Sequence, residues 1–435
     1  MKAVVQQHTS SFTAGRDEAL QDSLTNKISF YHLGLFLVML PFDLFYSELI
    51  LISLSLHTLI HINKKKIGAS FTRQNLVLSS VFLLNVLGLI WSRDREEGLE
   101  DIGMQFSIIL FPFIFSASGL NLNRYKKKLL LLFGATCTVT IVFLYTDAIH
   151  IILYNKLSPA ILFSPAFINH NFSQTIPIHA TYMSMYTALS IASFLYFFPE
   201  EKSNRTRFLY IIAITILVAG LLQLASRSVL IATIIFITTG FFLSMPKGTK
   251  RTRFIVITIL VSLICLFGIT MIDSFKKRYI SELEKDLTQV SVNNEIPEPR
   301  IVRWQYTLPL VKNAPVIGHG SGSEKRLLKE MYFEKKLYNS FLHELNAHNQ
   351  YLSFFIKTGV IGLIILLVTF YSGLVAAWRR KDRVFWAFMI LISIVSFSEN
   401  ILDVNKGIFF YAFFFSFFVK TGKPLRGLFR LGDKK

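Results

Sequence analysis

The sequence is poor in charge and nearly free of cysteine. Only 17% of its 435 residues are charged, against about one-quarter in an ordinary soluble protein, and its mean hydropathy is +0.48. That deficit argues against water as the main solvent of the folded chain and selects lipid. The two cysteines, Cys137 and Cys265, sit in apolar stretches far apart, which excludes a disulfide framework and a Cys-based zinc site. The opening MKAVVQQHTSSFTAGRDEALQDSLTNK contains no apolar core, so no cleavable signal peptide is expected and the first membrane helix should direct insertion. No internal repeat or low-complexity tract stands out.

Apolar residues are what the chain has in excess, at 52%, with 42 Phe. Phe at this frequency suits lipid-facing helix surfaces better than a compact water-soluble core. A bilayer core asks for about 20 mostly apolar residues per helix, and such runs recur near 28–45, 47–62, 75–91, 103–118, 129–153, 180–198, 208–224, 228–245, 254–272, 350–377, 384–401 and 407–420. The expectation is an all-α polytopic membrane protein of about twelve transmembrane helices, with membrane lipid as a partner. The formal charge of +19 does not imply nucleic acid, because its lysines and arginines form short clusters between apolar runs rather than one basic stripe.

Those clusters set an orientation. Lys64-Lys65-Lys66, Arg124 with Lys126 to Lys128, Lys202 with Arg205 and Arg207, Lys250-Arg251 with Arg253, Arg379-Arg380-Lys381 and the tail from Lys420 all fall on one side if the helices alternate. By the positive-inside rule that side is cytoplasmic, with both termini. The division expected is a cytoplasmic segment at 1–27, membrane helices 1–9 at 28–272, a periplasmic catalytic loop at 273–349, membrane helices 10–12 at 350–420, and a basic cytoplasmic tail at 421–435.

A structureless loop as long as 273–349 is improbable in a compact protein, so it should hold helices and carry function. DSFKKRYISELEKDL reads as a surface helix and VSVNNEIPEP as turns. Pro299 can open a second helix, with Ile301, Trp304 and Leu308 on one face and Arg300, Arg303 and Thr307 on another. After the glycine-rich APVIGHGSGS, a charged helix is expected from about Glu324 to Leu345.

Several residues around this loop could carry chemistry. Arg227 lies in LASRSVLIA between two nearly fused apolar runs, where a guanidinium either snorkels or binds an anion. Arg300 and Arg303 lie near a helix N-terminus, an arrangement that suits a phosphate or diphosphate, or form a solvated face. His348, at the membrane boundary beside Asn349, is a candidate general base or an interfacial side chain. His343-Glu344 with His348 has the spacing HExxxH; zinc-binding histidines need an i, i+4 pair, so no metal site is read here. Gly318 and Gly320, with Gly322, could form an anion nest or a structural turn. Glu399 near the outer end of a span suggests function or an ion pair with one of the arginines, and His179 stands at the mouth of another helix. All these positions map to the outer side, where cationic residues are normally depleted.

NAHNQYLSFFIKTGVIGLI at 346–364 resembles the signature of the O-antigen ligase and polymerase superfamily, in which a His-Asn pair opens a helix that runs into a Gly-x-x-Gly step. Those positions are His348, Asn349, Gly359 and Gly362. RIVRWQYTLPLVKNAPVIGHGSG at 300–322 is similar to the family's preceding segment, LASRSVLIA to its upstream arginine motif, and IHATYMSMY at 178–186 to a further one. His319 departs from the pattern, standing where a small or apolar residue is common. The resemblance implies a metal-independent, cofactor-free glycosyltransferase of the periplasmic face of the bacterial inner membrane. Its donor would be a glycan on undecaprenyl diphosphate and its acceptor a sugar hydroxyl of lipid A-core or of another glycan. It further implies that Arg227 and Arg300, with Arg303 an alternative, bind the diphosphate, while His348 takes the acceptor proton. Ligase and polymerase share this chemistry. A transporter or flippase is the reading of another class; it calls for ionisable residues near the membrane midplane, for which Asp147 is the main candidate.

Overall fold

The computed structural model describes residues 22–62, 67–244, 248–249, 252–253, 256, 260, 271, 273–281 and 298–422. Lys64 to Lys66, Lys250-Arg251, Cys265, the greater part of the expected span 254–272, residues 282–297 of the loop and the tail beyond 422 lie outside them.

Among the described residues the structure is helical, with no strand. The first helices are α1 (Leu24–Met39), α2 (Leu44–Ile60), α3 (Arg73–Gly88), α4 (Arg95–Gln105), α5 (Ser107–Ala117), α6 (Leu122–Tyr154) and α7 (Ala180–Phe197). After them come α8 (Asn204–Leu224), α9 (Arg227–Ser244), α10 (Arg300–Asn313), α11 (Ser323–Glu334), α12 (Gln350–Arg380), α13 (Arg383–Val395) and α14 (Asn405–Lys420). Polar residues just ahead of the apolar runs start these helices: the side chains of Ser23, Asp43, Thr72, Asn349 and Asp382 each accept a first-turn amide, which satisfies donors that have no partner within the helix. Among the described residues, four stretches are long and apolar enough to cross a membrane: Arg95–Ala117, Leu122–Tyr154, Asn204–Leu224 and Gln350–Arg380. Leu44–Ile60, Arg227–Gly240 and Arg383–Val395 are shorter apolar helices.

α14 is the axis of the bundle. Every residue from Lys406 to Val419 is buried, as expected of a helix that is apolar all round. Phe410, Phe413 and Phe414 pack against Phe36 of α1, Phe111 of α5, Phe133 of α6 and Phe388 of α13. The expectation that Phe faces lipid therefore needs correcting. Phe45, Phe71, Phe106 and Phe208 are exposed, but the phenylalanines of α14 form the protein's own core, because interlocked rings contribute packing energy that lipid chains do not match. α7 is equally enclosed, and its buried Ser184, Thr187, Ser190 and Ser193 hydroxyls each donate to the carbonyl four residues back, so none is left unsatisfied.

Lys126, Lys127 and Arg380, described members of the basic clusters, lie at one end of the bundle. Lys126 pairs with Asp382, Lys127 lies 3.9 Å from Glu200, and Arg380 donates to the carbonyls of Phe418 and Thr421. The opposite end carries the start of α12 and the end of α13, joined where the Gln350 amide donates to Ser396 O at 2.8 Å.

α10 and α11 sit over that opposite end. Pro299 caps α10 as expected, but the helix turns a different face inward. Val302, Arg303, Thr307 and Val311 are buried and Leu308 is exposed. The expected helix from Glu324 to Leu345 is instead α11, ending at Glu334, followed by a short turn of helix at Tyr338–Leu342. Lys336 between them adopts a positive φ, which ends the first helix. Arg326 and Lys325 of α11 pair with Asp94 at 2.7 Å and Glu97 at 3.5 Å, tying the loop to the start of α4.

α12 is two helices joined at Gly359, whose φ of +64° is not helical. The break frees backbone groups, and the segment after α10 takes them up. His319 and Gly320 donate to the carbonyls of Ile356 and Lys357, both at 2.9 Å, while Val360 donates to Pro315 O at 2.8 Å. The fit leaves no room for side chains: a Cβ on Gly359 would lie 2.3 Å from the Val316 carbonyl, and one on Gly318 2.5 Å from that of Lys357.

Lys357, two residues before the break, is 2% exposed and faces three carboxylates: Asp403 at 2.8 Å, Glu324 at 3.8 Å and Asp101 at 3.9 Å. These come from the α13–α14 connection, α11 and α4, so one ammonium group holds four parts of the chain together. Ser353 and Asn400 add hydrogen bonds to Glu324. Burial first, and then the charge of Asp403, lifts the Glu324 carboxyl above its ordinary value, although Lys357 opposes the shift.

Two predictions follow from this end of the bundle. Lys357→Met, which strands buried carboxylates, should cost about 3–5 kcal/mol, seen as a large drop in the unfolding temperature of the detergent-purified protein; an unchanged temperature would show that Lys357 is not the clasp. Gly359→Ala should lower the yield of monodisperse protein sharply, since it adds a clash to a positive φ. Gly68→Ala, with nothing within 4 Å of the new Cβ, should leave that yield as it is.

Candidate active site

The segment that delivers His348 is held at nearly every backbone group. Trp304 Nε1 donates to Ala347 O at 2.8 Å, and the Ala347 amide donates to Glu324 at 3.0 Å. The His348 amide donates to the Asn346 side chain at 2.9 Å, and the Asn349 amide to Asn400 at 2.8 Å. This anchoring sustains a φ of +46° at His348, a conformation uncommon outside glycine that persists only where surrounding contacts fix it. Asn349 caps α12, accepting from the Leu352 amide at 3.1 Å; its role in the structure is to start the helix that follows the histidine.

Glu399 is the hub. It is 8% exposed; one oxygen lies 3.5 Å from His348 Nδ1, and the other lies 3.6 Å from the Arg300 guanidinium and 3.5 Å from the Thr181 hydroxyl. Burial alone would raise this carboxyl. The His348 hydrogen bond and the positive potential of His348, His179 and Arg300 outweigh it and hold the group below its ordinary range. Arg300 is the first residue of α10, and its approach is fixed by Glu298, which accepts from the amides of Asn339 and Ser340 at 2.9 Å and 2.6 Å. Contacts near 3.5 Å leave the groups able to tighten around a ligand, as catalytic hydrogen bonds often do.

His179 caps α7, with Nδ1 accepting from the Thr181 amide at 3.3 Å, and its ring lies 3.9 Å from that of His170. Solvent reaches both rings, yet protein on most sides displaces bulk water. That desolvation comes first: it lowers the His179 pKa against the opposing charge of Glu399, and together with His179 and Arg278 it pushes His170 down to about 4.

The structure thus brings His348, Arg300, Glu399 and His179 together. It realises the ion pair read for Glu399, with Arg300 as the partner. Arg303 turns the other way, buried beside Tyr332. Arg227 opens α9 at the tight α8–α9 turn, where Ala225 has a φ of +48° and packs against Ile168 and Phe275. Gly318 and Gly320 act as packing residues: the amides of His319, Gly320 and Ser321 all donate to protein carbonyls, so the glycine loop presents no anion nest there, and His319 Nε2 is bonded to Leu310 O at 2.8 Å. Asp147 accepts from Thr175 at 2.5 Å, in the last third of α6.

Sequence reading missed His170, Thr181, Asn400 and the Lys357 clasp. A lysine inside FFIKTGVIG is itself a signal, since ionisable residues in apolar helices are seldom without a role. Its carboxylate partners are scattered through the chain, and no local pattern pairs them.

A family model described as O-antigen ligase matches residues 211–367. An uncharacterized protein of Haemophilus influenzae is 28% identical over 195 residues, 42% of this chain and 47% of that protein; the chain thus matches about half the length of this relative. The segment matched by the family model takes in Arg227, Arg300 and His348 as well as the broken start of α12, and over that segment the chain is similar to the O-antigen ligase and polymerase superfamily, which the match supports.

Proposed function

We propose that this protein is an O-antigen ligase-type glycosyltransferase that moves a glycan from undecaprenyl diphosphate to a sugar hydroxyl of lipid A-core. The observation that carries this reading is one buried carboxylate, Glu399, set between the His348 imidazole and the Arg300 guanidinium. The chemistry follows from that placement. With Nδ1–H donated to Glu399, His348 Nε2 is the ring nitrogen left to accept a proton. It removes the proton of the acceptor hydroxyl as that oxygen attacks the anomeric carbon. The bond from that carbon to the diphosphate oxygen breaks, and its electron pair leaves with the diphosphate. Arg300, with Arg227 as a second ligand, offsets the charge that develops there, and its planar fork suits phosphate oxygens. Arg303 serves through packing in this scheme.

The reading places the protein in the bacterial inner membrane, with the termini cytoplasmic, 273–349 as the periplasmic loop and Glu399 at the periplasmic end. Its support is the placement of Lys126, Lys127 and Arg380, from the basic clusters, at the other end of the bundle, as the positive-inside rule requires of a cytoplasmic face. The gathering of His348, Glu399, Arg300 and His179 at one end of the bundle, rather than near its middle, favours an enzyme over a flippase. Polymerase activity would use the same groups with a lipid-linked glycan as acceptor.

His348→Ala and Arg300→Ala should each reduce glycan transfer by about 10²-fold or more while insertion stays normal; wild-type amounts of glycan-bearing lipopolysaccharide from either variant would remove that residue from the mechanism. Transfer by the purified protein should survive EDTA, because guanidinium groups supply the counter-charge, and loss of activity restored by a divalent cation would contradict this. A deletion strain should accumulate polymer on undecaprenyl diphosphate and lack it on lipid A-core; the loss of long lipid-linked chains would instead identify a polymerase.

A further inference from the structure

The first amides of an α-helix have no partner within it, and at the start of α7 two of them are taken by imidazoles. The Thr181 amide donates to His179 Nδ1 at 3.3 Å, and the Ala180 amide to His170 Nδ1 at 3.5 Å. Asn, Asp, Ser and Thr are the residues that ordinarily make such caps, and they begin α1, α2, α3, α12 and α13 of this protein. An imidazole at this place does the same for the helix and carries a second nitrogen beyond it.

A ring nitrogen that accepts from a backbone amide carries no proton, so the proton of each ring sits on Nε2. The positive end of the helix dipole disfavours a further positive charge there, which keeps both rings neutral. Neither Nε2 has a hydrogen-bond partner among the described residues, and both side chains are exposed. The two rings brace one another at 3.9 Å, and the buried Ser173 hydroxyl, donating to Ile178 O at 2.9 Å, fixes the turn that delivers His179. Thr181 ties that ring to the centre. Its amide is the one bonded to His179, and its hydroxyl lies 3.5 Å from Glu399, whose other oxygen lies 3.5 Å from His348. The imidazoles on either side of Glu399 are thus opposite in kind: His348 has Nε2 open to accept a proton, and His179 has Nε2–H free to donate a hydrogen bond.

We infer that His179 is a substrate-binding residue whose neutral Nε2–H donates a hydrogen bond to an uncharged oxygen, hydroxyl or carbonyl, of a sugar held at the Glu399 centre. The inference rests on the glycosyl-transfer reading above. A neutral imidazole at a helix N-terminus is a donor suited to an oxygen without formal charge, whereas the positive charge that suits an anion is carried by Arg300, on the far side of Glu399. A sugar hydroxyl both donates and accepts; Glu399 and His348 Nε2 supply acceptors, and His179 supplies the donor. The sugar belongs either to the donor glycan or to the acceptor, and the contact is the same in both.

The test uses the full-length protein in detergent and variants that divide the ring between its two nitrogens. His179→Asn keeps an acceptor where Nδ1 caps α7 and has nothing at the Nε2 position; His179→Gln carries an amide N–H out to that position. The unfolding temperature of His179→Asn should match that of the wild type. Its affinity for either the polyisoprenyl diphosphate-linked glycan or the delipidated core oligosaccharide, titrated calorimetrically, should fall about three- to tenfold, the loss expected for one hydrogen bond. Whichever ligand weakens is the substrate whose sugar His179 holds. His179→Gln should regain most of that loss, and inorganic pyrophosphate should bind His179→Asn as it binds the wild type. Unchanged affinity for both glycans in His179→Asn overturns the inference. An equal loss in His179→Gln overturns it too, by assigning the ring to packing, and so does a parallel loss of pyrophosphate affinity. If His179→Asn unfolds early, His179→Met, of similar length but with no donor, takes its place in the comparison with His179→Gln. Absence of transfer by the wild type would defeat the glycosyltransferase reading while leaving these affinities to decide the role of His179.

Discussion

A helix that breaks inside a packed bundle exposes amides and carbonyls where water cannot reach them, and at Gly359 the rest of this end of the protein is arranged around that problem. Each freed group costs several kcal/mol in an apolar setting. The segment from Pro315 to Gly320 pairs with them on both sides of the break. Because the pairing needs the two backbones almost in contact, glycine is required at 318 and 359, where any side chain would strike a peptide group. These two glycines thus have a physical reading in this chain: they let a loop replace a missing turn of helix. Lys357 lies at the same depth and binds carboxylates from three other elements, so backbone pairing and charge pairing fix the same point. From it α12 rises to Asn349 and His348, and the connection through Asp403 and Asn400 rises to Glu399.

The candidate centre is correspondingly rigid in its backbone and loose in its side chains. The main chain from Ala347 to Gln350 is anchored by Glu324, Asn346, Asn400 and Ser396. The contacts of Glu399 with His348, Arg300 and Thr181, by contrast, all lie near 3.5 Å. A firm scaffold with relaxed functional groups lets those groups close on a ligand without moving the frame.

Much of this was legible in the sequence. Apolar runs marked helices among the described residues, with ends that moved by as much as seven residues, as at Leu122–Tyr154, and Pro299 marked the start of α10. Arg300, His348, Glu399 and His179 were each visible as polar residues at the edge of apolar stretches, the signature of costly placement. The partner sets were not legible. Which arginine faces Glu399 depends on the roll of α10, and the apolar face formed by Ile301, Trp304 and Leu308 gave the wrong roll, because Trp304 spends its ring nitrogen on Ala347 O and Thr307 is buried instead. The phenylalanines misled for a related reason: composition counts aromatic rings but does not say whether they meet lipid or one another.

That last point bears on biogenesis. The helix enclosed on all sides by the others, α14, comes after every one of them in the chain, so ribosomes release it when its neighbours are already in the bilayer. Until then Phe36, Phe111, Phe133 and Phe388 have lipid or each other for company. A chain cut short before Asn405 therefore loses the centre of the protein rather than its edge.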